Sequence, residues 1–481
     1  YPLTPMQQGM LFHTLYEPQE QAYINQLRLD IDGLQPQRFE QAWQAALDAH
    51  DILRTGFIWQ RDLEQPLQLV YRHLSIPFVH HDWRDRAAPE QALDELASAA
   101  QQHMDINKVP LLGLHLVRLS QTRYHLIYTH HHILMDGWSN SQLMGEVLQR
   151  YHGHAVAGQQ GAYKDYIGWL QQQDGERTEQ FWKQQLTCVE QPFRLSDACA
   201  TLGTPGTGHG DLQHVLDAQR TARLNDFARQ RKVTLNTLVQ AAWILLLQRY
   251  SGQHTVIFGA TVSGRPAELR GVEQQIGLFI NTLPVIAQTP VEQPLELWLQ
   301  ALQAHNLALR EHEHTPLFDV QRWAGLGSEA LFDSLMVFEN YPVSQALQQS
   351  DKAQLQFGVI NNREQTNYPL TLMVTLGQTL RVHFNYMREH FSDESISLIS
   401  HYLDNLFDQM LSSGNGPVGE VLMLGVAEHD VQTVEWNHNA LEFPRASCIH
   451  QQFEARVQAT PDACALVAYA QTLSYAQLNR R

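Results

Sequence analysis

The chain of 481 residues has only four cysteines, Cys188, Cys199, Cys448 and Cys464, and no two are spaced as CxxC. That spacing excludes a disulfide-stapled scaffold and a paired-cysteine zinc site, and it predicts free thiols in a reducing cytoplasm. No apolar run approaches the ~18–20 residues of a membrane span. The opening Tyr1-Pro2-Leu3-Thr4-Pro5 lacks the basic start and apolar centre of a secretion signal. Positive charge is scarce: 33 Lys and Arg stand against 50 Asp and Glu, a formal net charge of −17. This balance argues against nucleic acid or an anionic membrane as the main partner. What is present fits a globular chain, with 43% hydrophobic and 17% charged residues. The length suits two or three folded units. The chain opens without Met and stops at Asn479-Arg480-Arg481, so it reads as a piece cut from something larger.

Histidine is plentiful, with 25 residues, and three fall together at His130-His131-His132. Tyr124-His125-Leu126-Ile127-Tyr128 before them reads as a strand. After them, Ser139-Asn140-Ser141 offers N-cap types, and Leu143, Val147 and Tyr151 recur as one face of a helix. The histidines therefore sit where a strand ends and a helix begins. A turn there, with Gly137 free to take an unusual backbone angle, can push an imidazole into a cleft. The helix start supplies unpaired N–H groups and a positive dipole end beside it. A base next to aimed donors is what acyl transfer needs. The competing reading is two solvated rings and one packed ring. A metal site is disfavoured, because adjacent residues rarely converge on one ion and no HExxH frame accompanies them.

The remaining pattern alternates strands and helices, as in an α/β protein. Gln26–Gly33 reads as a strand, and Pro36 opens a helix with Phe39, Trp43 and Leu47 on one face. Leu67–Val79, broken at Pro77, and Leu111–Leu119 read as strands around a helix at Glu90–His103. Gln171–Ala200 is Gln-rich and carries the crossover to a second lobe. There, Arg220–Arg231 and the buried Leu238–Tyr250 read as helices, and His254–Val262 as a strand before a turn at Ser263-Gly264-Arg265-Pro266. Ile276–Pro284 reads as a strand whose Asn281 and Thr282 either form a satisfied edge pair or line a channel. His312-Glu313-His314 has metal-compatible spacing but reads as a solvated helix end. Phe332–Asn340 and Leu370–Val374 read as strands, and Phe391–Leu411 as the last long helix. A boundary is expected at Gly414-Asn415-Gly416-Pro417.

His131-His132-x-x-x-Asp136-Gly137 resembles the HHxxxDG signature of condensation domains of nonribosomal peptide synthetases. Other stretches resemble that family's motifs in the same order. They are Pro5-Met6-Gln7-Gln8-Gly9-Met10-Leu11-Phe12-His13, His50–Phe57 with Arg54 retained, Tyr163–Trp169, Ile276–Pro284 and His312–Phe318. Ala49-His50-Asp51 departs from the family's Arg-His-Glu at the second motif.

The resemblance covers roughly residues 1–425 and implies two chloramphenicol-acetyltransferase-like lobes, 1–175 and 176–425, in a V-shaped pseudo-dimer with a central tunnel. A linker at 426–445 and the start of an adenylation domain at 446–481 would follow. The latter resembles such a domain at Ile449–Glu454, Thr460–Val467 and Thr472–Asn479.

The implied activity is peptide-bond formation. An acceptor aminoacyl thioester's amine attacks a donor thioester, both carried on phosphopantetheine by upstream and downstream peptidyl carrier domains. No metal is expected. His132 is the implied catalytic residue, with the Gly137 N–H contributing to an oxyanion site. His131 is implied to be structural. Arg54 is the expected salt-bridge partner of Asp136, and Arg265 the second candidate. Trp138, Ser139, Asn281, Thr282, Asn367 and Tyr368 are expected along the tunnel.

The first motif's wording resembles domains that take a D-configured donor. A domain joining two L residues is the alternative. An epimerisation domain shares the His motif, but the adenylation start argues against it. A non-catalytic docking platform would be expected to have a degraded His motif, and this one is intact.

Overall fold

A computed structural model of the chain describes residues 1–16, 23–59, 63–86, 88–156, 161–189, 191–200, 202–204, 206–327, 329–339, 355–363, 366–439, 447–469 and 471–481. The chain divides into two compact units, Tyr1–Met423 and Leu424–Arg481.

The first unit holds two α/β lobes. In the first lobe, α1 (Pro5–Tyr16) precedes β1 (Ile24–Asp32), and α2 (Pro36–Ala49) leads to a hairpin of β2 (Thr55–Ile58) and β3 (Leu67–Val70). Then come β4 (Phe78–Asp82), α3 (Pro89–Gln102), β5 (Leu112–Arg118), β6 (Arg123–His131) and α4 (Gly137–Tyr151). Pro36 takes the first turn of α2, where its missing N–H costs nothing. Phe39, Trp43 and Leu47 of α2 are all at most 1% exposed, as the expected apolar stripe requires. Their face packs on the β1–β6 ladder, with the Trp43 and Tyr128 rings 4.8 Å apart.

Helix α5 (Tyr163–Leu170) packs Tyr163, Tyr166 and Ile167 into the first lobe's core. In the second lobe, α6 (Gly175–Leu186) and α7 (Leu195–Cys199) lead to β7 (His209–Leu216), α8 (Ala218–Gln230), α9 (Leu235–Ser251) and β8 (Thr255–Val262). Next follow β9 (Asn281–Gln288), α10 (Leu295–Arg310), α11 (Leu317–Ala324), β10 (Ser334–Glu339), β11 (Gln356–Arg363), β12 (Leu370–Leu376), β13 (Leu380–Met387) and α12 (Asp393–Ser412). The second sheet runs β7-β13-β12-β10-β8-β9, with β10 parallel to both β8 and β12. The helix α9 is buried nearly all round and is capped by Thr234, whose hydroxyl accepts from Thr237 N at 3.2 Å.

Two stretches cross the expected division at residue 175. Strand β11 joins the first sheet, which runs β11-β1-β6-β5-β4, by antiparallel pairing with β1. Val272, Ile276, Leu278 and Phe279 are buried in the same core as Trp43, Tyr128 and Leu143. This second stretch explains why the strand expected at Ile276–Pro284 begins only at Asn281. Its first half spends its backbone groups on the first lobe: Tyr163 Oη donates to Leu278 O at 2.5 Å, and Phe279 N donates to Asp136 at 3.0 Å.

His312-Glu313-His314 is not solvated. It docks on α6, where the His312 ring stacks on Phe181 at 4.0 Å and His314 Nε2 meets Thr178 Oγ1 at 3.1 Å. Burial holds His314 down at about 4, so it stays neutral. The turn at Gly414–Pro417 lies inside the first unit, because Gly416 O accepts from Leu295 N at 2.9 Å.

In the second unit a helix, Ile449–Ala459, precedes a hairpin of Cys464–Ala468 and Gln471–Ser474 and a closing helix, Tyr475–Asn479. Of the expected linker, residues 440–445 lie outside the described residues, as does Asn340. Among the described residues, no helix is long and apolar enough to cross a membrane.

Candidate active site

Strand β6 delivers His130 and His131 with their backbones paired to β1, and the chain then tightens into one 3₁₀ turn at His132–Leu134. The turn is fixed from both sides: His132 N donates to Tyr23 O at 2.7 Å, and the His131 Nδ1 atom accepts from Ile133 N at 3.1 Å. His131 Nδ1 is therefore the acceptor, and Nε2 carries the proton toward Thr14 Oγ1 at 3.2 Å. Burial pushes His131 and His130 down to about 3, so both rings are neutral. The His131 ring is thus turned inward and hydrogen-bonded, the placement expected of it.

His132 faces a cavity of about 1460 Å³ lined by both lobes. Its Nδ1 lies 2.7 Å from Met135 O, which can only accept. Nδ1 therefore carries the hydrogen, and Nε2 holds the ring's free lone pair. A half-buried imidazole with its tautomer fixed and its basic edge at a cavity is equipped to take a proton.

Helix α4 starts earlier than Ser139–Ser141 suggested. Asp136 is the N-cap, and its Oδ1 accepts from Ser139 N at 2.7 Å. Gly137 is the first helical residue with ordinary negative φ, so it supplies no unusual backbone angle. What its missing side chain leaves is space: a Cβ there would lie 3.9 Å from Glu339 Oε1. Glu339 ends β10 and lines the same cavity. Nothing in the sequence singled it out, because only the meeting of the two lobes brings β10 of the second sheet to the His loop after β6 of the first.

The Arg54–Asp136 pair is overturned. Arg54 ends the 3₁₀ turn after α2, and its guanidinium reaches back to that helix's exposed carbonyls, with Nε donating to Leu47 O at 3.1 Å. It also holds Arg72 O at 3.0 Å, Tyr71 O, and the Asp51 carboxylate at 2.7 Å. Arg54 thus caps α2 and pins the β3 exit. From the same motif, His50 Nε2 lies 2.7 Å from Glu146 on α4.

Asp136 pairs with Arg265, at 3.3 Å, and both are nearly fully buried. Arg265 also donates to Ser139 Oγ at 2.7 Å and Gln275 O at 3.0 Å, and it lies over the Phe279 ring at 4.1 Å. Asp136 Oδ2 takes Phe279 N. The carboxylate therefore ties the first turn of α4 to the stretch that crosses from the second half of the chain. Arg54→Ala is expected to lower the melting temperature but to leave single-turnover rates within about threefold of wild type; a larger rate loss would restore a role at the site.

Trp138, Asn281, Thr282, Asn367 and Tyr368 all line the cavity. Asn281 Nδ2 also donates to Thr315 O at 2.6 Å, so it is both an edge partner and a wall residue. Ser139 does not line it. At 0% exposure its hydroxyl is turned inward to Gly277 and Arg265, because the third helical position faces the lobe contact. The sequence also missed a bridge across the cavity. Asn367 accepts from Tyr23 Oη at 2.7 Å and meets His13 Nε2 at 3.1 Å, joining the second lobe's loop to the first motif.

Two neutral buried rings have a consequence for pH. The unfolded chain binds protons at His130 and His131 below about 6.5, while the folded rings resist until about 3. Stability should fall as pH drops through that window, by on the order of 1.4 kcal/mol per pH unit for each ring. Urea unfolding of His130→Leu between pH 6.5 and 4.5 should show a shallower slope than wild type; an equal slope would contradict the neutral His130.

Comparison with known proteins gives concordant results. The family model described as "Condensation domain" matches residues 1–433. One of the proteins that make up linear gramicidin synthase of Brevibacillus parabrevis is 38% identical over 493 residues, covering 100% of this chain and 6% of that protein. Bacitracin synthase 3 of Bacillus licheniformis is 31% identical over 494 residues, covering 100% of this chain and 8% of that protein. The chain thus spans less than a tenth of the length of these two relatives. Among solved structures, a four-domain nonribosomal peptide synthetase bound to AMP and glycine superposes with a TM-score of 0.78 at 18% identity, over 99% of this chain and 38% of that one. The first condensation domain of the calcium-dependent antibiotic synthetase, with a substrate analogue, gives 0.71 at 17% identity, over 88% of this chain and 99% of that one.

Proposed function

The chain belongs to the condensation-domain family of nonribosomal peptide synthetases, and from that premise we propose that it joins a D-configured donor to an L-aminoacyl acceptor. The observation that supports the condensation chemistry is His132, its Nδ1 held by Met135 O and its ring at a cavity that both lobes line.

Both substrates arrive as thioesters on phosphopantetheine arms of peptidyl carrier domains. The acceptor's amine nitrogen attacks the donor carbonyl, the C–N bond forms, and the C–S bond breaks. The departing thiolate receives the proton that the amine gives up. A free α-amino group titrates at ~7.7–8, so neutralising it at pH 7 costs only about 1.4 kcal/mol. His132 is therefore assigned to orient the amine and take its proton as the tetrahedral intermediate forms. The Gly137 N–H, at the start of α4, is assigned to the oxyanion. Asp136 and Arg265 hold the loop in place for both tasks. The carrier partners, and a following adenylation domain beginning at residues 446–481, belong to the same reading, as does a cytoplasmic setting.

The D-donor assignment rests on the first motif. Its physical support is that Met6, Met10, Phe12 and His13 of α1 line the cavity, where they can meet the donor. The test is single-turnover condensation with donor carrier loaded in D or L form, an L-aminoacyl acceptor carrier, and product followed by mass. Faster product from the D donor is expected. Faster product from the L donor would replace the subtype and keep the chemistry. No product with folded protein and several acceptors would favour a docking platform.

A further inference from the structure

We infer that Tyr23 is a positioning residue that makes the shape of the His132 turn depend on the second lobe's loop at Asn367. The inference rests on the condensation reading, in which His132 acts on the amine, and adds a residue that acts through it. Tyr23 is 8% exposed and lines the same cavity as His132 and Asn367. Its φ is 69°, in the left-handed region that a bulky L residue rarely adopts. Among the described residues, the other positive-φ residues that are not glycine, Ala88, Lys232 and Tyr469, are exposed. A buried aromatic residue keeps such a backbone only where its surroundings hold it there.

Two bonds hold Tyr23, and they lead to different lobes. On one side, Ile24 pairs with His131 at the end of the β1–β6 ladder, and one step further Tyr23 O accepts from His132 N at 2.7 Å. On the other side, Tyr23 Oη donates to Asn367 Oδ1 at 2.7 Å, and Asn367 Nδ2 donates to His13 Nε2 at 3.1 Å. The loop that presents Asn367 is fixed on the second lobe. Tyr368 N donates to Thr366 Oγ1 at 3.3 Å, the Thr366 and Thr371 hydroxyls lie 2.6 Å apart, and the Tyr368 ring stacks on Phe332 at 5.7 Å.

Cause runs from the loop to the turn. With Asn367 in place the phenol is anchored, and Tyr23 keeps the backbone angle at which its carbonyl reaches His132 N. Without that anchor less opposes the strain, and relaxation to a negative φ would draw the carbonyl off His132 N. The neighbouring amide is held separately: His131 N donates to Leu111 O at 2.9 Å, on the opposite edge of β6. Release is therefore confined to the end of the turn that carries His132.

The experiment pairs Tyr23→Phe, which removes the hydroxyl and keeps the ring, with Asn367→Ala. Single-turnover condensation with saturating carriers should fall about tenfold in each, the scale of one hydrogen bond. The double variant should fall no further than either single one, since both remove the same bond. Residue-resolved amide exchange is the second readout. Exchange at His132 N should speed up about tenfold in each variant, while exchange at His131 N stays as in wild type. Rates close to wild type in the single variants, or losses that multiply to about a hundredfold in the double, would overturn the inference. So would unchanged exchange at His132 N, or equal acceleration at both amides, which is general loosening. Should Tyr23→Phe fail to fold, exchange in Asn367→Ala decides. Faster exchange at His132 N with no condensation by wild type keeps the coupling and removes the condensation reading. Condensation by wild type with unchanged exchange in the variants does the reverse.

Discussion

Replacing His132 with alanine should lower single-turnover condensation by about 10²–10⁴-fold, the range for loss of a positioned acid–base group. The fold should survive. His132 is only half-buried, and among the described residues its ring makes one hydrogen bond, Nδ1 to Met135 O. The backbone of the turn is held without that ring, through Tyr23 O and the His131 side chain. A pH profile tells which task the imidazole performs. If its task were only to neutralise the incoming amine, raising the pH from 7 to 9 would restore the variant, since the amine then neutralises itself. If the ring takes the proton as the C–N bond forms, hydroxide in bulk water cannot substitute, and the loss persists at pH 9. Persistence is the expected result. Recovery to near the wild-type rate would reduce His132 to a local base. His131→Ala should behave differently: it removes the acceptor for Ile133 N and the contact to Thr14, so it should lower stability together with activity.

What was legible in the sequence follows from how local each cause is. The stripe of Phe39, Trp43 and Leu47 marked α2, because helical period and burial act over a single element. The strand–turn–helix frame of the His loop was legible for the same reason. The start of α4 was misplaced because Asp136, Ser139 and Ser141 are all capping types. Which of them caps depends on backbone geometry, and Ser139 was already committed to Arg265 and Gly277. The choice between Arg54 and Arg265 could not be made from pattern. Arg54 is nearer in sequence, but α2's terminal carbonyls reach it first. Arg265 reaches Asp136 only because the stretch around Phe279 is packed into the first lobe's core, a long-range fact that periodicity does not encode. The same packing turned the first half of the expected strand at Ile276 into an irregular segment. Asn367 was expected at the cavity from the family resemblance, whereas Glu339 reaches it only through the meeting of the two lobes.

Arg265→Ala and Asp136→Ala should each cost roughly 3–5 kcal/mol of stability, because each leaves the other charge buried without its partner. The Asp136 carboxylate has two further dependents. Oδ1 caps α4 through Ser139 N, and Oδ2 holds Phe279 N, so its removal leaves two buried N–H groups unpaired. Condensation should fall with the loop geometry, even in protein that remains folded at low temperature. A double-mutant cycle between Asp136 and Arg265 should give a coupling well above 1 kcal/mol, as expected for groups in one buried network. The same cycle between Asp136 and Arg54 should give a coupling near zero, since Arg54 is spent on Asp51 and the carbonyls of Leu47 and Arg72. Strong coupling to Arg54 instead would mean that the second motif acts on the catalytic loop directly. With coupling to Arg265, the loop depends on contact with the stretch that crosses from the second half of the chain. The turn that carries His132 would then keep its shape only while that stretch is docked. Any motion that withdraws Arg265 and Phe279 would uncap α4 and disturb His132 at the same moment.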